Sequence, residues 1–79
     1  MFIEVTKVDE NGDTSPRLVN FDYVVKVDKA DSNENNPNVN SKITFKIADD
    51  GQRYLSYVMP IVETYEEIKR KLGIGGARV

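Results

Sequence analysis

Residues 42–47, Lys-Ile-Thr-Phe-Lys-Ile, alternate polar and apolar without a break. Side chains of a strand point to opposite faces with period two. Ile43, Phe45 and Ile47 therefore share one face and Lys42, Thr44 and Lys46 the other, the pattern of a half-buried antiparallel strand. Asp50-Gly51 next predicts a tight turn, because glycine takes positive φ at no steric cost. Residues 52–58 read as the return strand, with large groups on both faces: Tyr54 and Val58 on one, Leu55 and Tyr57 on the other. Both faces of that strand are thus expected to meet something. Pro60 has no N–H for a sheet ladder and is expected to end it.

A helix is predicted after Pro60. Thr64 with Glu67 three residues on forms a capping-box pattern, which satisfies two of the orphan N–H groups at a helix start. Ile61, Tyr65, Ile68 and Leu72 recur at spacings of four, three and four and so fall on one stripe. Glu63, Glu66 and Glu67 lie toward the positive end of the helix dipole, and Lys69, Arg70 and Lys71 toward the negative end. Glu66 with Arg70 and Glu67 with Lys71 have the spacing of i,i+4 ion pairs. Gly73 suits the left-handed residue that closes a helix.

The N-terminal half adds three further extended stretches. Residues 2–8 read as a strand with Ile3 and Val5 on one face. Asn11-Gly12 marks a turn. Residues 17–21 read as a short edge strand after Pro16. Residues 23–27 read as a central strand, with Tyr23, Val25 and Val27 on its inner face. The pattern then fails. Residues 29–40 hold five asparagines and, beside Ala30, a single apolar side chain, Val39. Burial of so little apolar surface does not offset the entropy of ordering the segment, so a mobile loop is expected. Residues 74–79, rich in glycine, are expected to be a flexible tail. One domain over residues 1–73 accounts for the rest.

Composition narrows the chemistry. The 79-residue chain has no cysteine and no histidine. Disulfides, thiolate metal sites and a cysteine nucleophile are excluded, and so are the commonest general base and zinc ligand. A net charge of −2 is no footprint of general nucleic-acid binding. No apolar run is long enough to span a membrane and no secretory leader is visible, so a cytoplasmic location is expected.

The remaining constellations fail on their own chemistry. Asp31, Asn33 and Asn35 have the alternate-oxygen spacing of a calcium loop. Asn36 and Lys42, however, stand where that loop needs glycine and a bidentate glutamate. Gly73, Gly75 and Gly76 follow a helix rather than precede one, so they cannot cradle a phosphate at a helix start. Asp49-Asp50 and Glu66-Glu67 have turn and capping roles in solvent. Ser15, Ser32, Ser41 and Ser56 have no histidine to activate them. No enzyme activity, cofactor or metal is therefore expected. A surface for another protein, or for a second copy of the chain, is the leading expectation, drawn on Tyr54, Leu55, Tyr57, Lys69, Arg70 and Lys71. The alternative is a nucleic-acid surface in which Tyr54 and Tyr57 stack on bases beside the basic helix end.

In its order of elements the chain resembles the small FlbD-like family encoded in bacterial flagellar loci. The likeness rests on the opening strand at residues 1–6 and on Asn20 before the apolar stretch of residues 23–27. It also rests on residues 41–45 with Asp50-Gly51, and on the Glu63-Thr64 that leads the helix. The Asn-rich insertion, the longer first turn and Asp50 in place of the usual Asn depart from the pattern. The resemblance implies an architecture, and no functional residue is carried over from it. The expected fold is α+β: a small antiparallel sheet, or partly open barrel, of four or five strands with one C-terminal helix. The expected core is Ile3, Val5, Tyr23, Val25, Val27, Ile43, Phe45, Ile47, Ile61, Tyr65, Ile68 and Leu72.

Overall fold

A computed structural model describes residues 1–46 and 55–73 in full, and residues 47, 48 and 54 in their backbone. The expected Asp50-Gly51 turn, the 74–79 tail and the side chains of Ile47 and Tyr54 lie outside the described residues.

The alternating stretches become strands β1 (Phe2–Val8), β2 (Thr14–Asn20), β3 (Val24–Lys29), β4 (Ser41–Ala48) and β5 (Tyr54–Ile61), followed by helix α1 (Tyr65–Leu72). They form an open antiparallel sheet in the order β2-β1-β5-β4-β3, with a single turn of 3-10 helix, Phe21–Tyr23, joining β2 to β3. This is the α+β arrangement expected from the pattern.

Register decides which side chains meet. Ile3 stands opposite Val19, and Ile43 stands between Val27 and Met59. With Val5, Ile61 and Ile68 these positions make the core on one face of the sheet, beneath α1. Val5, Ile43 and Ile61 are fully buried. Ile61 closes β5 rather than opening the helix, so the helical stripe shrinks to Tyr65, Ile68 and Leu72, of which Ile68 is buried.

β3 corrects the expected core. It is an edge strand, and its ladder with β4 shifts register between Val24 and Lys26. The irregularity moves Val24 and Val27 against the core and leaves Tyr23 and Val25 exposed. A bulge of this kind breaks the period-two rule on which the face assignment rests. Pro60 is a second correction, for it lies inside β5, opposite Lys42. Ile61 offers its carbonyl toward β4 by way of Asn40 N, and Val62 N–H points to Thr6 O of β1. Backbone groups alternate in direction along a strand, so the missing N–H of Pro60 falls on the β1 side, where no ladder needs it.

Residues 30–40 cross the other face of the sheet. Ala30 N donates to Asn40 O (3.1 Å) and Asn40 N to Ile61 O (3.0 Å), which fixes the base of the loop. Asx-type bonds supply its turns, Asn33 N donating to Asp31 Oδ1 and Asn38 N to Asn36 Oδ1. Val39 is buried and, with Val8 and Pro60, lines a hollow of about 430 Å³. The one strongly apolar residue of the segment does find burial, contrary to expectation. Gly12, at φ +88°, carries the first turn against this loop, and a Cβ there would meet Asn36 Nδ2 at 3.2 Å.

Candidate functional site

Two strands that are neighbours in the sheet barely pair. β1 and β5 share one register position, Lys7 opposite Ile61, extended by Val62 N–H to Thr6 O at 2.9 Å. Beyond that point no further β1–β5 pairing is present among the described residues. Thr6 directs its backbone toward β5, so Phe2 and Glu4, of the same parity, direct theirs the same way. On β5, Ser56 and Val58 direct N–H and C=O away from β4, since Ile61 O, of the other parity, accepts from Asn40 N on the β4 side. Because the two strands run antiparallel from Lys7–Ile61, these stretches lie on opposite sides of that pair: Phe2 and Glu4 run alongside residues 64–66, and Ser56 and Val58 run past the end of β1, with no ladder partner on that side among the described residues.

Glu63 continues the contact with β1 just past the end of β5. Its carboxylate accepts from Thr6 N at 2.8 Å and from Thr6 Oγ1 at 2.9 Å, taking the place of a strand carbonyl. Its own carbonyl accepts from the buried Ser41 Oγ at 2.6 Å, and Asn40 Nδ2 reaches Val62 O at 2.7 Å. These four bonds tie β1, the β4 start and the β5 exit into one knot. Sequence reading gave Glu63 only a place near the helix dipole. Nothing in local spacing signals a carboxylate that bonds a strand 57 residues earlier.

Two apolar hollows open beside β5. One hollow of about 370 Å³ is lined by Lys7, Phe45, Tyr57, Val58 and Met59. Beside it, Phe45 and Met59 also floor a hollow of about 280 Å³ whose other wall is Arg17, Leu18, Val19, Asn20 and Tyr23. Leu55, Tyr57 and Val58 are each 45–59% exposed, while Leu18 reaches 68%. Leu55 and Tyr57 project from the core-bearing face, past the part covered by α1, because they share register parity with Met59 and Ile61. Lys7 and Arg17 flank the hollows on the same face, Lys7 opposite Ser15 and Arg17 opposite Val5. Arg17 Nη1 bonds only Ser15 Oγ and Pro16 O, and neither cation has a carboxylate within 4 Å among the described residues.

The basic end of α1 sits elsewhere. Lys69 lines a hollow of about 320 Å³ between α1 and β3, with Val24, Val27, Tyr65 and Ile68 among its neighbours. Its ammonium stands 5.5 Å from the Tyr65 ring centroid, as does that of Lys29, and Arg70 and Lys71 face solvent. Leu55 and Tyr57 thus belong to one side of the molecule, and Lys69, Arg70 and Lys71 to another. No described hollow holds members of both groups. The expected i,i+4 pairs of the helix are not formed. Glu66 Oε2 instead meets Lys29 Nζ at 3.6 Å, and Glu67 Oε1 accepts from Thr64 N at 2.7 Å. That backbone bond is the main reason the Glu67 carboxyl is held below its ordinary value of 4.5.

Among the described residues no group of three or more acidic side chains is placed to hold a metal, and no helix is long and apolar enough to cross a membrane. No protein family, curated protein or solved structure matches the chain.

Proposed function

We propose that this chain is a non-enzymatic interaction module that binds another protein through the exposed apolar surface of β5. The observation that carries the reading is the exposure of Leu55, Tyr57 and Val58 on a strand whose β1-facing edge lacks a ladder partner. Single exposed apolar residues need no explanation, but Leu55 and Tyr57 together on one face of β5, with Val58 exposed on the other, make the kind of strand surface soluble proteins cover or use. The lack of histidine and cysteine in the whole chain favours binding over catalysis. Aromatic anchors such as Tyr57 suit a binding surface because they bring large contact area with little rotamer freedom to lose.

The test is capture from source-cell extract with tagged wild type and with the Leu55→Ser/Tyr57→Ser variant, each with and without nuclease. A protein band that survives nuclease and is absent from the variant supports the reading. Capture that disappears with nuclease turns the reading toward nucleic acid. Equal capture by wild type and variant removes β5 from the surface.

A further inference from the structure

The core is left unfinished between α1 and the edge strand β3. Phe21, Val24, Val27 and Leu72 pack against the buried core but stay only half-buried, and all four line the hollow of about 320 Å³ between the two elements. Val25 and Lys26 border it too. Successive side chains of a strand point to opposite faces, so a hollow that touches every residue from 24 to 27 runs along the edge of β3 rather than over one face. That edge has backbone groups to offer. Ala30 N donates to Asn40 O on the β4 side. Asp28, of the same parity, also directs its N–H and C=O to β4, so Val27 and Lys29 direct theirs away from the sheet. β3 is the last strand in the order, and no partner for these groups is present among the described residues. Charge narrows the occupant further. Lys26 and Lys69 line the hollow, and Lys29 stands over the Tyr65 ring that lines it as well. Lys26 meets Asp28, and Lys29 meets Glu66 where the groove ends, but Lys69 has no carboxylate within 4 Å among the described residues.

We propose that the groove between β3 and α1 receives an extended, acidic and apolar segment of a partner protein. Its backbone pairs with Val27 and Lys29, its apolar side chains fill the hollow, and its carboxylate meets Lys69. This site is separate from the β5 surface and does not rest on it. Strand pairing supplies the backbone bonds, and the half-buried core residues take the inward side chains. Lys69 then fixes register and rejects basic segments. The local surplus of cations, on a chain of net charge −2, favours an acidic partner over a second copy, which brings the same surplus. A nucleic acid meets the cations too, but its backbone cannot pair with a strand edge.

The probe is an end-blocked heptapeptide of threonine with valine second and fourth and glutamate sixth, so that both valines and the glutamate share one face of a strand. It is titrated into the full chain at low and moderate salt and followed through amide shifts and hydrogen exchange. The expected result is saturable binding that weakens with salt, with the largest shifts at Val27, Ile68 and Lys69. Exchange slows at the Val27 and Lys29 amides, which gain an acceptor, and not at Lys26 and Asp28, which already face β4. Lys69→Gln keeps most of the side-chain stem and lowers affinity about fivefold, the measure of one part-exposed ion pair. Arg70→Gln removes the same charge from the exposed side of the same helical turn and leaves affinity almost unchanged. The peptide with lysine in place of glutamate does not bind. The Leu55→Ser/Tyr57→Ser variant binds the probe as wild type does. Binding without slowed exchange at Val27 and Lys29 overturns the proposal. So do equal binding of the lysine peptide, equal losses in Lys69→Gln and Arg70→Gln, and displacement of the probe by oligothymidylate. The same slowing produced by raising the concentration of the chain alone assigns the edge to a second copy and overturns it too. Loss of binding in the Leu55→Ser/Tyr57→Ser variant moves the contact to β5 and removes the groove. A probe that does not bind at all overturns the groove while leaving the β5 reading, tested by capture, untouched.

Discussion

Three residues show what neighbours in sequence can and cannot assign. Thr64 and Glu67 complete a reciprocal cap, with Thr64 Oγ1 accepting from Glu67 N at 3.1 Å and Glu67 Oε1 from Thr64 N at 2.7 Å. This cap was legible in the sequence because both partners lie within one turn. Thr64→Ala is expected to lower stability by about 1 kcal/mol, read from urea denaturation, and an unchanged midpoint would remove the cap from the helix's energetics. Glu34 is the opposite case. It sits in the Asn-rich segment, yet its carboxylate meets Lys42 Nζ at 2.8 Å. The Lys42 hydrogen bond, then that of Asn36 N–H, holds the Glu34 carboxyl below its ordinary 4.5, and Glu34 holds Lys42 above its ordinary 10.5. A carboxyl that binds its proton less tightly when folded stabilises the fold above the unfolded value and loses that contribution as pH falls through the folded value. For Glu34 and Glu67 stability is therefore expected to drop as pH goes below 4.5. The raised Lys42 contributes fully below 10.5 and loses its contribution as pH rises through its folded value. A denaturation series against pH checks this: Glu34→Gln flattens both limbs, and identical limbs in variant and wild type would show that the exposed pair is fully screened.

At the scale of elements, legibility followed how local each determinant is. β4 and α1 read cleanly, since strict alternation and a cap–stripe–glycine sequence are properties of neighbouring residues. Gly73 closes the helix at φ +77° as its position predicts. β3 read as a strand with Val27 rightly inward but Tyr23 and Val25 wrongly so, because the register shift between Val24 and Lys26 leaves no mark in the residues of β3. Pro60 read as a stop because the sequence does not show that β5 lacks a ladder on its β1 side at that point. In the 30–40 loop, composition concealed what one residue does. Val39 reaches the far face of the sheet beside Val8 and Pro60, and the Asn40 backbone then joins β5 through Ile61 O. Val39→Ala removes the equivalent of two methylene groups from that contact, and the expected cost is about 1–2 kcal/mol. Faster hydrogen exchange at Ala30 and Asn40 is expected with it. If stability and both amides are unchanged, the loop's packing contributes nothing to the fold.

At the scale of the molecule, the sheet is two units sharing a core. One is the β1–β2 hairpin. The other is β3, β4 and β5 with α1. Backbone pairing between them is confined to Lys7–Ile61 and Val62–Thr6, and the Glu63 carboxylate supplies the remaining bonds to β1. The rest of the coupling is apolar, from Ile3, Val5 and Val19 packing with Ile43, Ile61 and Ile68. Such a construction opens at its weakest line, and local opening proceeds in contiguous units rather than residue by residue. Glu63→Ala leaves the half-buried Thr6 N–H and hydroxyl without their acceptor, so a global loss of about 1.5–3 kcal/mol is expected. The distribution of that loss is the sharper expectation. Amides of β1 and β2 exchange faster than the global unfolding rate allows, while those of Ile43 and Met59 in the β4–β5 ladder stay governed by global unfolding. The hairpin then moves as a unit about the chain's connection at Phe21–Tyr23. Equal acceleration in both halves would mean that the apolar core alone holds the sheet together and that the clasp at Thr6 is incidental. Selective acceleration would show that the carboxylate clasp at Thr6, and not the apolar core alone, holds the hairpin to the rest of the sheet.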